Sequence, residues 1–231
     1  MGFNLNNCYS HPGKLLKVHL ENVALLSKRF TSSDAAGLVS LFHDIGKVNP
    51  NFQEKLNGLC PKGYDHHAYL SAYAFLMFLI KNPDIFKALV PQGFNSNNFL
   101  ISLITIVAKH HGDLPDMMPN DDNSILSGYE VSNLYAFLDK EHISFGNVFS
   151  ELLSIEPSMP SSIEEDRIRL FLKKILHKPN DYNVALPFYL EIQSIFSALI
   201  KADKSDAGDM VSTIDKEAED LKSFSHIYPR S

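Results

Sequence analysis

Through most of the chain, apolar side chains recur every three or four residues, the period of an amphipathic helix. Residues 1–13 read as an irregular lead-in that Pro12-Gly13 ends. A helix is expected over about 14–30, with Leu15, Leu16, Val23 and Leu26 on its apolar stripe. Ser32 or Ser33 is placed to cap the next helix, whose stripe runs Leu38, Leu41, Phe42 and Ile45. Gly46 falls where the residue just past a helix end usually lies. A turn through Val48-Asn49-Pro50 leads to a short segment ending near Leu56, and 57–65 reads as a loop rich in turn formers. Asp65 fits the N-cap of a helix over about 66–81 that turns Leu70, Ala74 and Phe78 inward. Pro and Asn break the connection over 83–98. The stretch over about 98–111 is apolar nearly all round, which predicts a deeply buried helix stopped by Gly112.

Residues 113–130 are polar, carry Asp121-Asp122, and read as a loop rimming whatever His110 and His111 face. Short helices are expected over about 130–140 and 145–154. The Pro/Ser stretch from Glu156 reads as a long surface loop at the seam of a helical insertion (about 113–160), rather than a domain boundary. Ser162 with Glu165 forms a capping box for a helix over about 163–177. Pro187 opens the last core helix, with Ile192, Phe196, Leu199 and Ile200 on its stripe. Asp203 continues that stripe, whereas Asp206 and Asp209 fall off it and read as surface or capping residues. A terminal helix over about 210–222 follows. The pattern as a whole is all-α and is read as one domain over 1–231.

Composition narrows the class. A chain of 231 residues, 45% hydrophobic and 21% charged, suits one globular domain with a substantial core. The net charge of -6 argues against a module that grips nucleic acid by bulk positive charge. It leaves room for a nucleic-acid enzyme whose bound cations reverse the local sign. Cys8 and Cys60 form neither a metal-type spacing nor a disulfide framework, which favours a reducing compartment. The first residues lack a signal-peptide core, and the apolar runs 75–80 and 99–108 are too short to cross a bilayer. A cytoplasmic, membrane-free protein is the expectation.

The candidate chemistry centres on His43-Asp44, an imidazole and a carboxylate about 100° apart at the end of an apolar helix. Alone the pair is half a metal site. Other helices add His19, His67 (with His66 rotated off the apolar face), His110, His111 and Asp203. Taken singly, His19 reads as a satisfied core histidine; His110-His111 reads equally as C-terminal capping, with ligation favoured because both rings extend from one rigid, buried element. Asp121-Asp122 reads as a solvated patch. Asp203 is more informative, because a carboxylate on a buried face is costly unless paired or bound to a cation. Without a cysteine ligand the set argues against structural zinc. Seven ligands exceed one tetrahedral ion and suit two ions sharing a carboxylate, about 3.5–4 Å apart, the clamp used for in-line phosphoryl displacement.

In this order, His19…His43-Asp44…His67…His110-His111…Asp203 resembles the HD superfamily of metal-dependent phosphohydrolases. More narrowly it resembles the CRISPR-associated HD nuclease, the HD domain or stand-alone HD subunit of the type I interference nuclease-helicase. The narrower likeness rests on His43-Asp-Ile-Gly-Lys-Val-Asn-Pro-Asn-Phe-Gln53, on His67-Ala-Tyr-Leu-Ser-Ala72, on Lys109-His-His-Gly-Asp-Leu-Pro115 and on Ala202-Asp-Lys-Ser-Asp206. The resemblance implies a helical bundle whose metal site is built from five core helices. One ion would take His19, His43, Asp44 and Asp203, and the second His67, His110 and His111, with Asp44 bridging. Manganese, nickel, cobalt, iron and magnesium are the family's metals, and five histidines lean away from magnesium. The implied activity is hydrolysis of single-stranded DNA, with RNA left open, by water activated between two ions.

In this likeness Lys47 would offset phosphate charge or position substrate, although it reads equally as a helix C-terminal cation. Ser205 would lie on the substrate side. The implied partners are a helicase subunit or domain and, through it, the RNA-guided surveillance complex. No Gly-x-x-x-x-Gly-Lys-Ser/Thr motif occurs, so no helicase motor is expected in this chain. Two rival readings stand beside the nuclease. One is an HD phosphohydrolase of nucleotides or cyclic oligonucleotides; the other is a non-catalytic helical adaptor.

Overall fold

The computed structural model describes residues 5–112, 114 and 186–208. The insertion expected over about 113–160, the helices expected beyond it as far as 177, the terminal helix over 210–222, Asp121-Asp122 and Asp209 lie outside these residues. Among the described residues the chain is helical apart from one small hairpin: α1 (Leu16–Phe30), α2 (Asp34–Phe42), α3 (Pro50–Leu56), α4 (His67–Lys81), α5 (Pro83–Leu89), α6 (Ser96–Ala108) and α7 (Leu186–Ala207). No helix among them is long and apolar enough to cross a membrane.

The bundle is organised around α2. Every residue from Ala35 to Phe42 is buried, so this helix is covered on all sides. It packs against α1, α4, α6 and α7, and α1 in turn packs on α7 and α4 on α6. Phe42 ends α2 in the centre, with its ring centroid 5.1 Å from Phe75 and 4.9 Å from Phe78 of α4. Burying such a ring stabilises the fold by roughly 1.5–3 kcal/mol. As its all-round apolar pattern predicts, α6 is buried from Phe99 to Ala108. Because α2 is central, whatever follows Phe42 is delivered to the middle of the molecule.

Several local expectations are corrected. The lead-in is not irregular throughout: β1 (Tyr9–His11) pairs antiparallel with β2 (Lys14–Leu15). Pro12-Gly13 makes the hairpin turn, with Gly13 at φ 82°, the left-handed value a type II turn requires. Asp65 does not cap α4; that place belongs to His66, and Asp65 instead pairs with Lys55 at 2.6 Å. The 83–98 connection contains α5, which Pro83 opens at its first turn. The α6 helix starts two residues early, because the Asn95 side chain accepts from the Asn97 and Asn98 N–H groups. It ends at Ala108, so His110 and His111 sit in the turn beyond it.

Gly46 is not a left-handed cap. It lies inside a 3-10 turn, Ile45–Val48, and is glycine for want of space. A Cβ there would fall on the His67 carbonyl and within 2.9 Å of the Ser71 backbone nitrogen and hydroxyl.

Candidate metal centre

The α2 helix stops at Phe42, leaving His43 as its C-cap and Asp44 at φ -115°, ψ 7°. That bend swings the Asp44 carboxylate into the bundle interior, where it is 1% exposed. Its two oxygens face different neighbours. Oδ2 lies 3.2 Å from His19 Nε2, 3.4 Å from His43 Nε2 and 2.6 Å from Lys47 Nζ. Oδ1 lies 3.2 Å from His67 Nε2 and 3.3 Å from His110 Nε2. Asp203 Oδ1, from α7, stands 3.4 Å from His19 Nε2 and 3.5 Å from His43 Nε2. On the opposite side His111 Nε2 approaches His67 Nε2 to 2.7 Å.

All seven residues of the sequence pattern are thereby gathered. They form two groups, His19-His43-Asp44-Asp203 and Asp44-His67-His110-His111, and within each group the ligand atoms lie within 4.8 Å of one another. Asp44 belongs to both. Lys47 is also here, but it is buried against Asp44 and donates to the Ser10 carbonyl at 3.3 Å. Ser205 is half-buried on α7, one residue before Asp206.

Local backbone contacts aim the rings. His43 Nδ1 donates to the Ser40 carbonyl and His110 Nδ1 to the Val107 carbonyl, both at 2.7 Å. Each bond leaves an Nε2 lone pair facing inward. His43 Nε2, His110 Nε2 and Asp44 Oδ1 are buried and make no hydrogen bond, although they converge. Buried polar atoms are almost always satisfied, so three orphans around the Asp44 carboxylate fit a site for a cation. Imidazole nitrogens and carboxylate oxygens are the donors that borderline divalent metals take.

The electrostatics carry the same mark. Burial alone would raise the Asp44 carboxyl, but His43 and Lys47 beside it hold it well below the usual carboxylate range. Burial likewise opposes charge on His19, yet the Asp203, Asp206 and Asp44 carboxylates outweigh it and raise the imidazole to about 10. Asp203 is depressed in return, by His19 and His43, against its own burial. At the rim, desolvation and the neighbouring His110 and His67 push His111 down to about 4. One side of the site thus holds charge, while on the other burial favours the neutral rings of His67 and His111.

Asp206 is the residue that the sequence reading missed. Its side chain is fully buried and its Oδ2 lies 2.6 Å from His19 Nδ1. The buried line of α7 runs Ile192, Ile195, Leu199, Ala202, Asp206, one step round from the expected stripe, while Phe196 and Ile200 are only half-buried. Spacing could have found it, because Asp206 stands four residues after Ala202 and seven after Leu199.

Residues 14–154 match the family model described as Cas3, HD domain, well over half of the chain. The chain belongs to that family. No curated protein and no solved structure matches it significantly. The matched span includes six of the seven gathered residues, with Asp203 supplied from beyond it by α7. As a Cas3 HD domain the molecule is a CRISPR-associated, metal-dependent HD nuclease, and its helical bundle is the HD fold. The two His/Asp groups are where this HD domain can hold divalent metal.

Proposed function

We propose that this HD domain cuts the phosphodiester backbone of single-stranded DNA with two divalent ions that share Asp44. The observation that carries the reading is the division of one buried carboxylate, with Oδ2 turned to His19 and His43 and Oδ1 to His67 and His110. When bound, the ions supply Lewis acidity that makes water nucleophilic near neutral pH and offsets charge on the phosphate. The chain's own residues supply position. His43 and His110 are locked by their carbonyl bonds, and Asp203 closes the buried group from α7. Lys47, buried 2.6 Å from Asp44 Oδ2, keeps that carboxylate ionised. His111 is exposed, and His67 and Asp203 partly so, which marks the side open to a strand; Ser205 is a candidate contact on that side.

The net charge of -6 supports a second part of the reading: the domain does not gather DNA by itself but receives it from a helicase partner engaged with the RNA-guided complex. The chain would then act in the cytoplasm as a single HD domain. Cleavage of circular single-stranded DNA by chelator-stripped protein tests this, with manganese, nickel, cobalt or magnesium restored singly and Asp44→Ala alongside. Metal-dependent nicking that the variant lacks is the expected result. Hydrolysis of a nucleotide panel with the circle untouched would overturn the nuclease reading in favour of a small phosphoester substrate.

A further inference from the structure

The three buried histidines of the site are oriented in two different ways. His43 and His110 each donate Nδ1–H to a carbonyl three residues back on their own segment. His19 instead meets a carboxylate from a remote element, Asp206, at 2.6 Å. Asp206 is held in turn by two further residues. Asn22, one turn along α1 from His19, donates to Oδ1 at 3.0 Å. Lys14 of β2 lies 2.7 Å from Oδ2 and donates to the Asp206 carbonyl at 2.6 Å. The carboxylate is therefore ionised, saturated with donors and sealed from solvent, and it faces the His19 nitrogen that points away from the centre.

We propose that Asp206 is a positioning residue that fixes His19 Nδ1–H outward, holds its Nε2 on Asp44 and Asp203, and makes the His19-His43-Asp44-Asp203 group the tighter of the two metal sites. A carboxylate behind a ligating imidazole raises its basicity and fixes ring orientation more strongly than a neutral carbonyl does. Among the described residues the second group has no carboxylate behind its rings: His110 Nδ1 donates to the Val107 carbonyl, and His111 lies at the open edge against His67 and His110. The inference rests on the metal-ligand reading of the two groups.

The test uses the full chain, stripped of metal, as wild type, Asp206→Asn and Asp206→Ala. Cadmium-113 resonances and manganese titration calorimetry are read, with a thermal melt as the folding control. Two cadmium resonances are expected for the wild type. In Asp206→Ala one should move, and its site should weaken about 10–100-fold, while the other stays put. Asp206→Asn should move the same resonance with a smaller loss, because its amide oxygen still accepts Nδ1–H. The near-isosteric amide keeps the test open if the alanine variant fails to fold. Two resonances unmoved, or both sites weakened in proportion to lost thermal stability, would overturn the assignment. A single wild-type resonance at one equivalent would sink the two-ion reading separately, and Asp206 would then be judged by whether that resonance moves.

Discussion

The Ser71 hydroxyl accepts the Gly46 N–H at 2.8 Å, joining the first turns of α4 to the turn that follows Asp44. His67 lies four residues before Ser71, on the same face of α4. One buried hydrogen bond therefore sets the depth at which His67 Nε2 stands 3.2 Å from Asp44 Oδ1. The Gly in His-Asp-Ile-Gly and the Ser in His-x-x-x-Ser are two halves of one contact.

Gly46→Ala should cost about 1–3 kcal/mol, because the new methyl group displaces α4 instead of finding space. Ser71→Ala should cost a similar amount, about 1–3 kcal/mol, by stranding a buried N–H. The two differ in function. Gly46→Ala pushes His67 away from Asp44 and should weaken metal binding more than Ser71→Ala does at matched stability. Denaturation midpoints with parallel metal titrations measure both; equal metal affinity in the two variants would refute the positional account.

Phe42 offers a control on the fold. Its ring is fully buried between Phe75 and Phe78. Phe42→Ala should lower stability by about 3–5 kcal/mol. Phe42→Leu should cost markedly less. Urea unfolding in chelator gives both values, and a loss under about 1 kcal/mol for alanine would mean that α2 is not the centre of the core.

Metal loading should release protons. In the metal-free protein His19 is raised to about 10, so at pH 7 its Nε2 carries a proton. A cation entering the buried group must displace it. Affinity should therefore fall as pH falls, by up to about tenfold per pH unit for each proton displaced. The sign for folding is separate. A raised histidine stabilises the metal-free fold fully below its unfolded value, about 6.5, and that contribution fades as pH climbs through 10. Calorimetry in buffers of different ionisation enthalpy counts the protons, and heats that do not depend on the buffer would contradict the exchange.

The site was more legible in the sequence than its surroundings. Each candidate ligand ends or lies along an apolar helix, and the 3.6-residue period identifies such helices well. The Leu38-Leu41-Phe42 stripe put His43-Asp44 at a helix end, although the helix stops at Phe42 and Gly46 lies in the 3-10 turn beyond it. The β1–β2 hairpin left no such trace, because strands of two and three residues are too short to show alternation. Asp206 was hidden differently. Asp203 and Asp206 lie three residues apart on one helix, and the half-buried Phe196 and Ile200 drew the expected stripe one position round. Period shows that a face is buried, but only the partner helix fixes its phase. Here that partner is α1, carrying His19 and Asn22.

Asp44→Ala, the natural loss-of-function control, should do more than remove a ligand. Lys47 is 5% exposed, and its ammonium sits 2.6 Å from the Asp44 carboxylate. Removing Asp44 leaves that cation buried with the Ser10 carbonyl at 3.3 Å and the Phe52 ring centroid at 5.5 Å, and no carboxylate beside it among the described residues. Breaking a buried pair from one side typically costs about 3–5 kcal/mol, whereas replacing both charges costs far less. In chelator, Asp44→Ala should therefore be destabilised by an amount in that range, and Asp44→Ala/Lys47→Met should recover most of it while remaining unable to bind metal. A double-mutant cycle from urea unfolding measures the coupling. Additive effects would show that Lys47 and Asp44 stabilise the fold independently, and loss of activity in Asp44→Ala could then be read as loss of metal alone.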